Sequence, residues 1–169
     1  MRIILVRHGK TIENQIGRCQ GQTEGTLSIE GIIENNDLSL SLNKVIIDAF
    51  YSSPLIRAKF TMSQILLNHP VKIPFSDHRL IEWGLGDLEG KPFPNNFNIL
   101  NYKGNIESFE SVKNRCISFI HELYLKHANQ TVLLVSHGLT LRMLESLLLN
   151  IDLIQTKQMK NSSYKILEL

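Results

Sequence analysis

The sequence predicts an α/β protein, a three-layer α/β/α sandwich in which a mostly parallel sheet lies between two layers of helices. Three apolar runs, at 3–6, 45–51 and 131–135, have the composition of strands buried on both faces. Segments of helical character follow the second and third of these runs directly, and the first after a loop. Alternation of buried strands with helices is typical of a parallel sheet covered on both sides.

The remaining elements are predicted from local signals. Ser28 is a suitable N-cap for a helix that runs to about Leu42, and Pro54 suits the start of a helix from Leu55 to about Leu67. A Gly/Gln/Thr-rich loop is expected at 14–26, a short strand at 71–75, an irregular region at 79–107, a helix at 139–149 and an edge strand at 162–169. Another helix has its apolar face at Phe109, Val112, Cys116, Phe119, Ile120 and Leu123.

Composition limits the class of protein. With 169 residues, 43% hydrophobic and 20% charged, the chain is expected to form one globular domain, with a lid-like segment at about 83–107. A net charge of +2 is too small to indicate nucleic acid, and Cys19 and Cys116 make no disulfide framework. Without a signal peptide or a membrane-spanning apolar run, we expect a cytoplasmic monomer or homodimer that binds neither membrane nor nucleic acid.

Polar residues stand where the three buried strands end. Arg7-His8-Gly9 follows the first strand, Ser52-Ser53-Pro54 with Arg57 follows the second, and Ser136-His137-Gly138 follows the third. The carboxyl ends of strands in open α/β sheets are where ligands bind. If the strands are neighbours, two arginines and two histidines therefore meet at one edge of the sheet.

This set of side chains suits phosphoryl transfer. Guanidinium groups match phosphate oxygens, and a neutral imidazole can attack phosphorus to form a phosphohistidine. The leaving oxygen needs a proton, for which the irregular region offers Glu82, Asp87 and Glu89. Motifs for nucleotide cradles, serine hydrolases and metal sites are absent from the sequence, so neither metal nor cofactor is expected.

Five motifs in order resemble the histidine phosphatase superfamily, in the branch with cofactor-dependent phosphoglycerate mutases and small cytoplasmic phosphatases. Two positions differ from the usual pattern: Lys10 stands where glutamate is commoner, and Thr26 where proline is usual. The matching motifs are Arg7 to Thr11 with Asn14; Gln20-Gly21 with Leu27-Ser28 and Gly31; Ser52 to Leu55 with Arg57-Ala58 and Thr61; Leu80 to Glu82 with Gly86 and Glu89-Gly90; and Val135 to Gly138.

The resemblance implies a phosphoglycerate mutase-like fold and a role for each motif residue. His8 would be the nucleophile that becomes phosphorylated, and Glu82 the proton donor that later helps to activate water. Because Glu89 lies in the same loop, it stays an alternative donor. Phosphoryl oxygens would be held by Arg7, Arg57 and His137, and substrate binding would involve Asn14, Gln20, Gly21 and Gly138.

The sequence favours hydrolysis over mutase activity. Mutases of the family carry a long insertion with extra basic residues, whereas only 55 positions separate Glu82 from His137 here, with Lys91 and Lys103 as the cations of the loop. A small phosphorylated substrate and water as acceptor are therefore expected. A mutase, a protein phosphohistidine phosphatase and a non-catalytic phospho-ligand binder stay as alternatives, although Glu82 and the intact motif argue against the last two.

The substrate itself is hardly specified. Phe93, Phe97 and Tyr102 could stack on a small aromatic or nucleoside-like group, as expected in α-ribazole phosphatases, which the chain resembles in size and in its Gly86-Asp87 and Glu89-Gly90 loop. Packing of these aromatic rings between the lid-like segment and the body is the favoured alternative.

Overall fold

The computed structural model describes residues 1–70, 72–95, 97–102 and 104–169. Its centre is a five-stranded sheet of order β3-β2-β4-β1-β5. Pairing is parallel except for β5, which lies antiparallel to β1 at the edge. The strands are β1 (Arg2–Arg7), β2 (Ala49–Ser52), β3 (Phe75–Ser76), β4 (Thr131–Ser136) and β5 (Tyr164–Glu168).

Helices cover both faces of this sheet. The short α1 begins after Thr11, and the hydroxyls of Ser28 and Ser108 cap the longer α2 and α4 by accepting from backbone N–H groups of the first turn. The helices are α1 (Ile12–Gln15), α2 (Ile29–Leu42), α3 (Ile56–Leu66), α4 (Phe109–His127) and α5 (Gly138–Leu149).

Alternating residues of the central strands enter two separate cores. Ile4 and Val6 of β1 pack with buried residues of α2 and α3, whereas Ile3 and Leu5 pack with buried residues of α4 and α5. Because successive side chains of a strand point to opposite faces, both faces of the sheet are buried. The predicted three-layer sandwich is thus confirmed, and the continuous apolar runs have their physical explanation.

The differences from the expected elements are local. A single helical turn, α1, overlaps the start of the loop predicted at 14–26, because Thr11 and Asn14 cap each other's backbone N–H groups. The third strand is confined to Phe75–Ser76, and Val71, where it was predicted to begin, lies outside the described residues.

The irregular region contains two 3-10 turns, His78–Leu80 and Gly86–Leu88. Its ends are tied together, since the buried Trp83 donates from Nε1 to the carbonyl of Glu107 at 2.7 Å and the Glu107 N–H donates to the carbonyl of Gly84 at 2.8 Å. No helix in the described part of the chain has the length and apolar character needed to cross a membrane.

Candidate active site

The three strand ends that carry polar motifs are neighbours in the sheet. β4 lies between β1 and β2, the His8 N–H donates to the carbonyl of Ser136 at 3.0 Å, and the Ser53 N–H donates to that of Val135 at 2.9 Å. These bonds bring the imidazoles of His8 and His137 to a centroid separation of 5.0 Å. The prediction that the motifs meet at one edge of the sheet is confirmed.

The imidazole of His8 is oriented by its own neighbour. Its Nδ1 lies 2.7 Å from the carbonyl oxygen of Gly9. Because a carbonyl can only accept, Nδ1 carries the proton of the neutral ring and Nε2 keeps its lone pair. Burial, followed by the charges of Arg57 and Arg7, holds the pKa of His8 well below its usual value of 6.5. The ring is therefore neutral at physiological pH and offers Nε2 as a nucleophile.

The backbone around His8 is held by a polar network from three other segments. The Asn161 amide donates to the carbonyl of His8 at 3.0 Å, and the Gly9 N–H donates to Thr61 Oγ1 at 2.9 Å. Thr61 also accepts from the buried amide of Asn35 at 3.1 Å. A Cβ at position 9 would lie 2.5 Å from the Asn35 amide nitrogen, so this close approach requires glycine.

Arg57, which is buried, and Arg7, which is half-buried, are both held by backbone carbonyls. Arg57, 1% exposed, donates to the carbonyls of Thr23 at 2.7 Å and Gly21 at 2.8 Å, and Arg7 donates to that of Met159 at 2.6 Å. The Nε of each arginine is buried and has no hydrogen-bond partner among the described residues. Buried donors without a partner are costly unless a ligand satisfies them, which fits a site for an anion.

His137 lies behind His8 and is completely buried. Its Nε2 lies 2.7 Å from Ser53 Oγ, whereas its Nδ1 is buried without a partner in the described structure. Burial, then the charges of Arg57, His8 and Arg7, lowers its pKa well below 6.5. With the Ser53 hydroxyl donating to Nε2, the Nδ1–H becomes a further free donor.

The two candidate proton donors occupy different positions. Glu82 lines the cavity beside His8, and its carboxylate accepts from the N–H groups of Trp83, Leu139 and Thr140 and from the Thr140 hydroxyl, at 2.9–3.2 Å. It thus lies at the N-terminus of α5, where free N–H groups favour a carboxylate. Glu89 is instead occupied with the backbone N–H groups of Gln22 at 2.9 Å and Leu85 at 3.0 Å.

Arg115, which the sequence analysis does not identify, holds the Glu82 segment from behind. Its guanidinium donates to the carbonyls of Arg79, Ile81 and Glu82 at 2.7, 2.8 and 3.2 Å and pairs with Glu107 at 3.1 Å. From sequence alone, a charged residue in an amphipathic helix looks like an ordinary surface position.

These groups open onto a cavity of about 510 Å³. The predicted residues Arg7, His8, Asn14, Gln20, Gly21, Arg57 and Glu82 line it. His137 and Gly138 are not among the described residues that line the cavity. A Cβ at position 138 would lie 2.9 Å from the Gln158 amide and 3.5 Å from Arg7 Cζ, so the glycine leaves room for both side chains. Sequence analysis missed Arg18, Leu85, Asn98, Ile99, Leu100, Leu139, Arg142, Ile154 and Gln158.

The aromatic residues of the irregular region lie at the cavity and pack on one another, and Phe97 and Tyr102 also pack against the core, as the favoured alternative predicts. Phe93 and Phe97 line the cavity, while the three rings pack in a row with centroid distances of 5.3 Å for Phe93–Phe97 and 5.7 Å for Phe97–Tyr102. No group of three or more metal-ligating side chains is found across residues 1–70, 72–95, 97–102 and 104–169.

Fold and site define the class of protein: an α/β sandwich with a buried, neutral histidine between arginines at the carboxyl edge of its sheet. Residues 3–169 match the sequence profile of the histidine phosphatase superfamily, branch 1. The chain belongs to this superfamily, which confirms the resemblance carried by the five motifs.

Several curated relatives are named as phosphatases, and others as a phosphoglycerate mutase or a mutase-like protein. Phosphoserine phosphatase 1 of Hydrogenobacter thermophilus is 30% identical over 185 residues, covering 100% of this chain and 87% of the relative. The metal-independent phosphoserine phosphatase of Arabidopsis thaliana is 33% identical over 157 residues, covering 83% of this chain and 65% of the relative.

Solved structures match over almost the whole chain. Mycobacterial glucosyl-3-phosphoglycerate phosphatase in complex with VO3 has a TM-score of 0.90 and 26% identity, covering 99% of this chain and 92% of its own. The α-ribazole phosphatase of Shigella flexneri has a TM-score of 0.88 and 24% identity, covering 100% and 91%. The second likeness shows the fold alone, and this fold agrees with the phosphoglycerate mutase-like architecture predicted.

Proposed function

We propose that this protein is a metal-independent phosphatase that hydrolyses small phosphomonoesters through a phosphohistidine on His8. The observation that carries this proposal is the neutral, buried imidazole whose Nε2 is free, beside two arginines with unsatisfied buried Nε–H groups. Family membership and the phosphatase relatives support the same reaction.

The proposed reaction has two displacements at phosphorus. In the first, His8 Nε2 forms a bond to phosphorus as the ester P–O bond breaks, and Glu82 transfers a proton to the departing oxygen. In the second, the Glu82 carboxylate takes a proton from water, the water oxygen bonds to phosphorus, and the P–N bond breaks to release phosphate. Oε2 accepts only from Leu139 N–H among the described donors, so it is the oxygen better placed to carry the proton.

Charge stabilisation comes from the groups around His8. We assign the phosphoryl oxygens to Arg7, Arg57 and the Nδ1–H of His137, whose donors are buried and unpaired in the described structure. Substrate positioning is assigned to Asn14, Gln20 and Gly21, which line the cavity, with Gly138 acting through its packing against Arg7.

The segment at about 83–107 is proposed to act as a lid within a single domain. Six of its residues form one wall of the cavity, and its ends are joined through Trp83 and Glu107. We also propose a reducing, cytoplasmic location, supported by the two free cysteines, and a monomer or homodimer as the working form.

Mutase activity is a second candidate because two cations other than the loop lysines Lys91 and Lys103 line the cavity. Arg18 and Arg142 line it, although neither belongs to the loop between Glu82 and His137. Incubation of 3-phosphoglycerate with catalytic bisphosphoglycerate distinguishes the reactions: a mutase forms 2-phosphoglycerate, whereas a phosphatase releases inorganic phosphate.

Hydrolysis is tested with a panel of phosphate esters in the presence of EDTA. The panel contains O-phospho-L-serine, 3-phosphoglycerate, a sugar phosphate, a nucleoside monophosphate and p-nitrophenyl phosphate. We expect phosphate release from at least one alkyl ester, unchanged by EDTA, because the site's own donors neutralise the phosphoryl group. Activity that disappears in EDTA and returns with Mg²⁺ or Zn²⁺ would contradict the proposal.

The covalent intermediate is tested with His8→Ala. This variant is expected to fold, since His8 follows a strand end, and to lose several orders of magnitude in kcat, roughly 10³-fold or more. Rapid acid-free quenching of the wild-type protein with a ³²P-labelled ester should trap an acid-labile, base-stable phosphoryl group that His8→Ala does not form. Normal turnover by the variant would exclude a phosphohistidine at this position.

A further inference from the structure

The cavity holds more positive charge than one phosphoryl group requires. Its described lining includes four guanidinium groups, those of Arg7, Arg18, Arg57 and Arg142, but Glu82 is the single carboxylate in that set. The proposed reaction uses Arg7 and Arg57. The charges of Arg18 and Arg142 therefore face the cavity without a role in holding the phosphoryl group.

Arg142 is fixed in place by neutral acceptors. It is half-buried in α5, with Nε donating to Thr156 Oγ1 at 3.0 Å and Nη2 donating to the carbonyl of Leu153 at 3.0 Å. Its Nη1 makes no hydrogen bond, and its guanidinium no ion pair, to any described residue. Such a guanidinium is oriented before any ligand arrives and keeps its full charge for an anion.

Arg18 also lines the cavity and lies beside the lid segment. An isolated bridge pairs its backbone with Pro92, and its exposed guanidinium has no hydrogen-bond or ion-pair partner within the described part of the chain. A second cation, supplied from a different segment, thus faces the same cavity as Arg142.

The position of Arg142 in α5 sets its distance from the phosphoryl site. Gly138 is the first residue of α5, and a Cβ added at this position would lie 3.5 Å from Arg7 Cζ. The next residue, Leu139, lines the cavity. Arg142 follows Gly138 by one turn, about 6 Å along the helix axis. An anionic group joined to the phosphate ester by a short carbon chain would reach from one site to the other.

We propose that Arg142, assisted by Arg18, forms a subsite for the carboxylate of the substrate, so that the preferred esters are small phosphorylated carboxylic acids. This inference rests on the proposed function and specifies its substrate class. A planar guanidinium matches a planar carboxylate, and a charge-assisted bond of this kind discriminates strongly against a substrate that lacks the anion.

The test compares two ligands that differ only in a carboxylate: O-phospho-L-serine and O-phosphoethanolamine. Binding is measured by titration calorimetry on His8→Ala, which keeps both arginine pairs and prevents turnover. We expect phosphoserine to bind about 10- to 100-fold more tightly. Adding Arg142→Met should remove most of this preference and leave phosphoethanolamine binding unchanged, whereas Arg18→Met should have a smaller effect because Arg18 is exposed.

Lys44→Met provides the control, because it removes the same charge at an exposed position between α2 and the amino end of β2, away from the strand ends that form the site. It should leave the preference intact. Equal binding of the two ligands to His8→Ala, or equal losses for both in Arg142→Met, would overturn the carboxylate subsite. If Arg142→Met does not fold, the same binding comparison is made with Arg142→Lys and Arg18→Met. A preference for phosphoserine that is undiminished in both variants would contradict the proposal.

The binding measurement separates this inference from the proposed function. A carboxylate preference in a protein that hydrolyses no ester would refute the phosphatase and retain the subsite. Hydrolysis of both ligands with the same kcat/KM and the same affinity would retain the phosphatase and refute the subsite.

Discussion

The imidazole of His8 lies beside two guanidiniums that would repel it if it became protonated. Those charges help to keep Nε2 unprotonated in the free protein by lowering the pKa of the ring. In the proposed reaction the same charges bind the phosphoryl oxygens of the substrate. The bond from Nδ1 to the Gly9 carbonyl completes the arrangement by fixing the tautomer. A nucleophile of this kind needs no separate base to activate it.

The proton donor gives a prediction at the same scale. Alkoxides are poor leaving groups, so protonation by Glu82 should be worth about 10²–10⁴-fold on alkyl phosphates. The phenolate of p-nitrophenyl phosphate leaves without such help. We therefore expect Glu82→Gln to reduce kcat on O-phospho-L-serine or another alkyl ester far more than on p-nitrophenyl phosphate, measured side by side.

Measuring both esters on one variant separates the loss of proton donation, which affects the alkyl ester, from a general disturbance of the site, which affects both. In Glu82→Gln the amide NH₂ faces a backbone N–H in either orientation, that of Leu139 or those of Trp83 and Thr140, so some general loss is expected on both substrates. Glu89→Gln is the matched comparison, since Glu89 accepts from the backbone N–H groups of Gln22 and Leu85 and is not among the described residues that line the cavity. A selective defect in Glu89→Gln, with equal losses in Glu82→Gln, would transfer the donor role to Glu89.

Two helices determine where the carboxyl group of Glu82 lies. The first turn of α5 donates to its side chain, and Arg115 of α4 binds the carbonyls of the segment that carries it. These contacts join an irregular segment to regular elements. The proposed general acid is therefore held by groups other than those assigned to the substrate, in the way that supporting hydrogen bonds hold other catalytic groups.

Arg115→Met should show this positioning role. Loss of the guanidinium leaves Glu107 and three carbonyls without their donor, which we expect to lower the free energy of unfolding by about 3 kcal/mol. In the protein that remains folded at low temperature, kcat on alkyl esters should fall about 10-fold more than on p-nitrophenyl phosphate. Urea denaturation and paired kinetic assays measure the two effects.

A purely structural role for Arg115 would lower both activities by the same factor. Arg115→Lys should recover part of the alkyl activity by restoring one donor. Arg2→Met is the control, because Arg2 forms an exposed ion pair with Glu168 at 2.9 Å and should change neither stability nor the ratio of activities appreciably.

Across the whole molecule, the sequence predicts what depends on local pattern. The apolar runs of β1 and β4 are continuous, and β2 ends an apolar stretch that is interrupted at Asp48. The strand ends could therefore be located before the structure, and with them Arg7, His8, Arg57 and His137. Their meeting at one edge depends on strand order, which the sequence does not encode locally; it followed from the family resemblance and from the expectation of a parallel sheet.

The residues missed are those whose function depends on tertiary contacts. Arg115 and Arg142 stand in helical patterns where an arginine normally faces solvent, and Arg18 follows a short turn. Their spacing in the sequence does not indicate that Arg115 binds three backbone carbonyls or that Arg18 and Arg142 line the cavity. The same reason explains Asn161, which lies in a polar stretch before β5 and yet binds the carbonyl of His8.

The two buried histidines give a prediction for the stability of the molecule. Burial and nearby arginines lower the pKa of His8 and His137 well below the unfolded value of 6.5, so the unfolded chain binds more protons than the folded one as pH falls below 6.5. Their contribution to stability is thus complete above pH 6.5 and is lost as pH falls toward the folded pKa values.

We expect the free energy of unfolding to decrease between about pH 7.5 and about pH 5.5, with each histidine adding up to about 1.4 kcal/mol per pH unit below its unfolded pKa. Urea denaturation at several pH values measures the slope. His8→Ala should remove one histidine's share of it, whereas His121→Ala, at an exposed position of α4, should leave it unchanged. An identical slope in wild type and His8→Ala would show that the pKa of His8 is the same in the folded and the unfolded protein, and would contradict the lowering of this pKa by burial and the arginines.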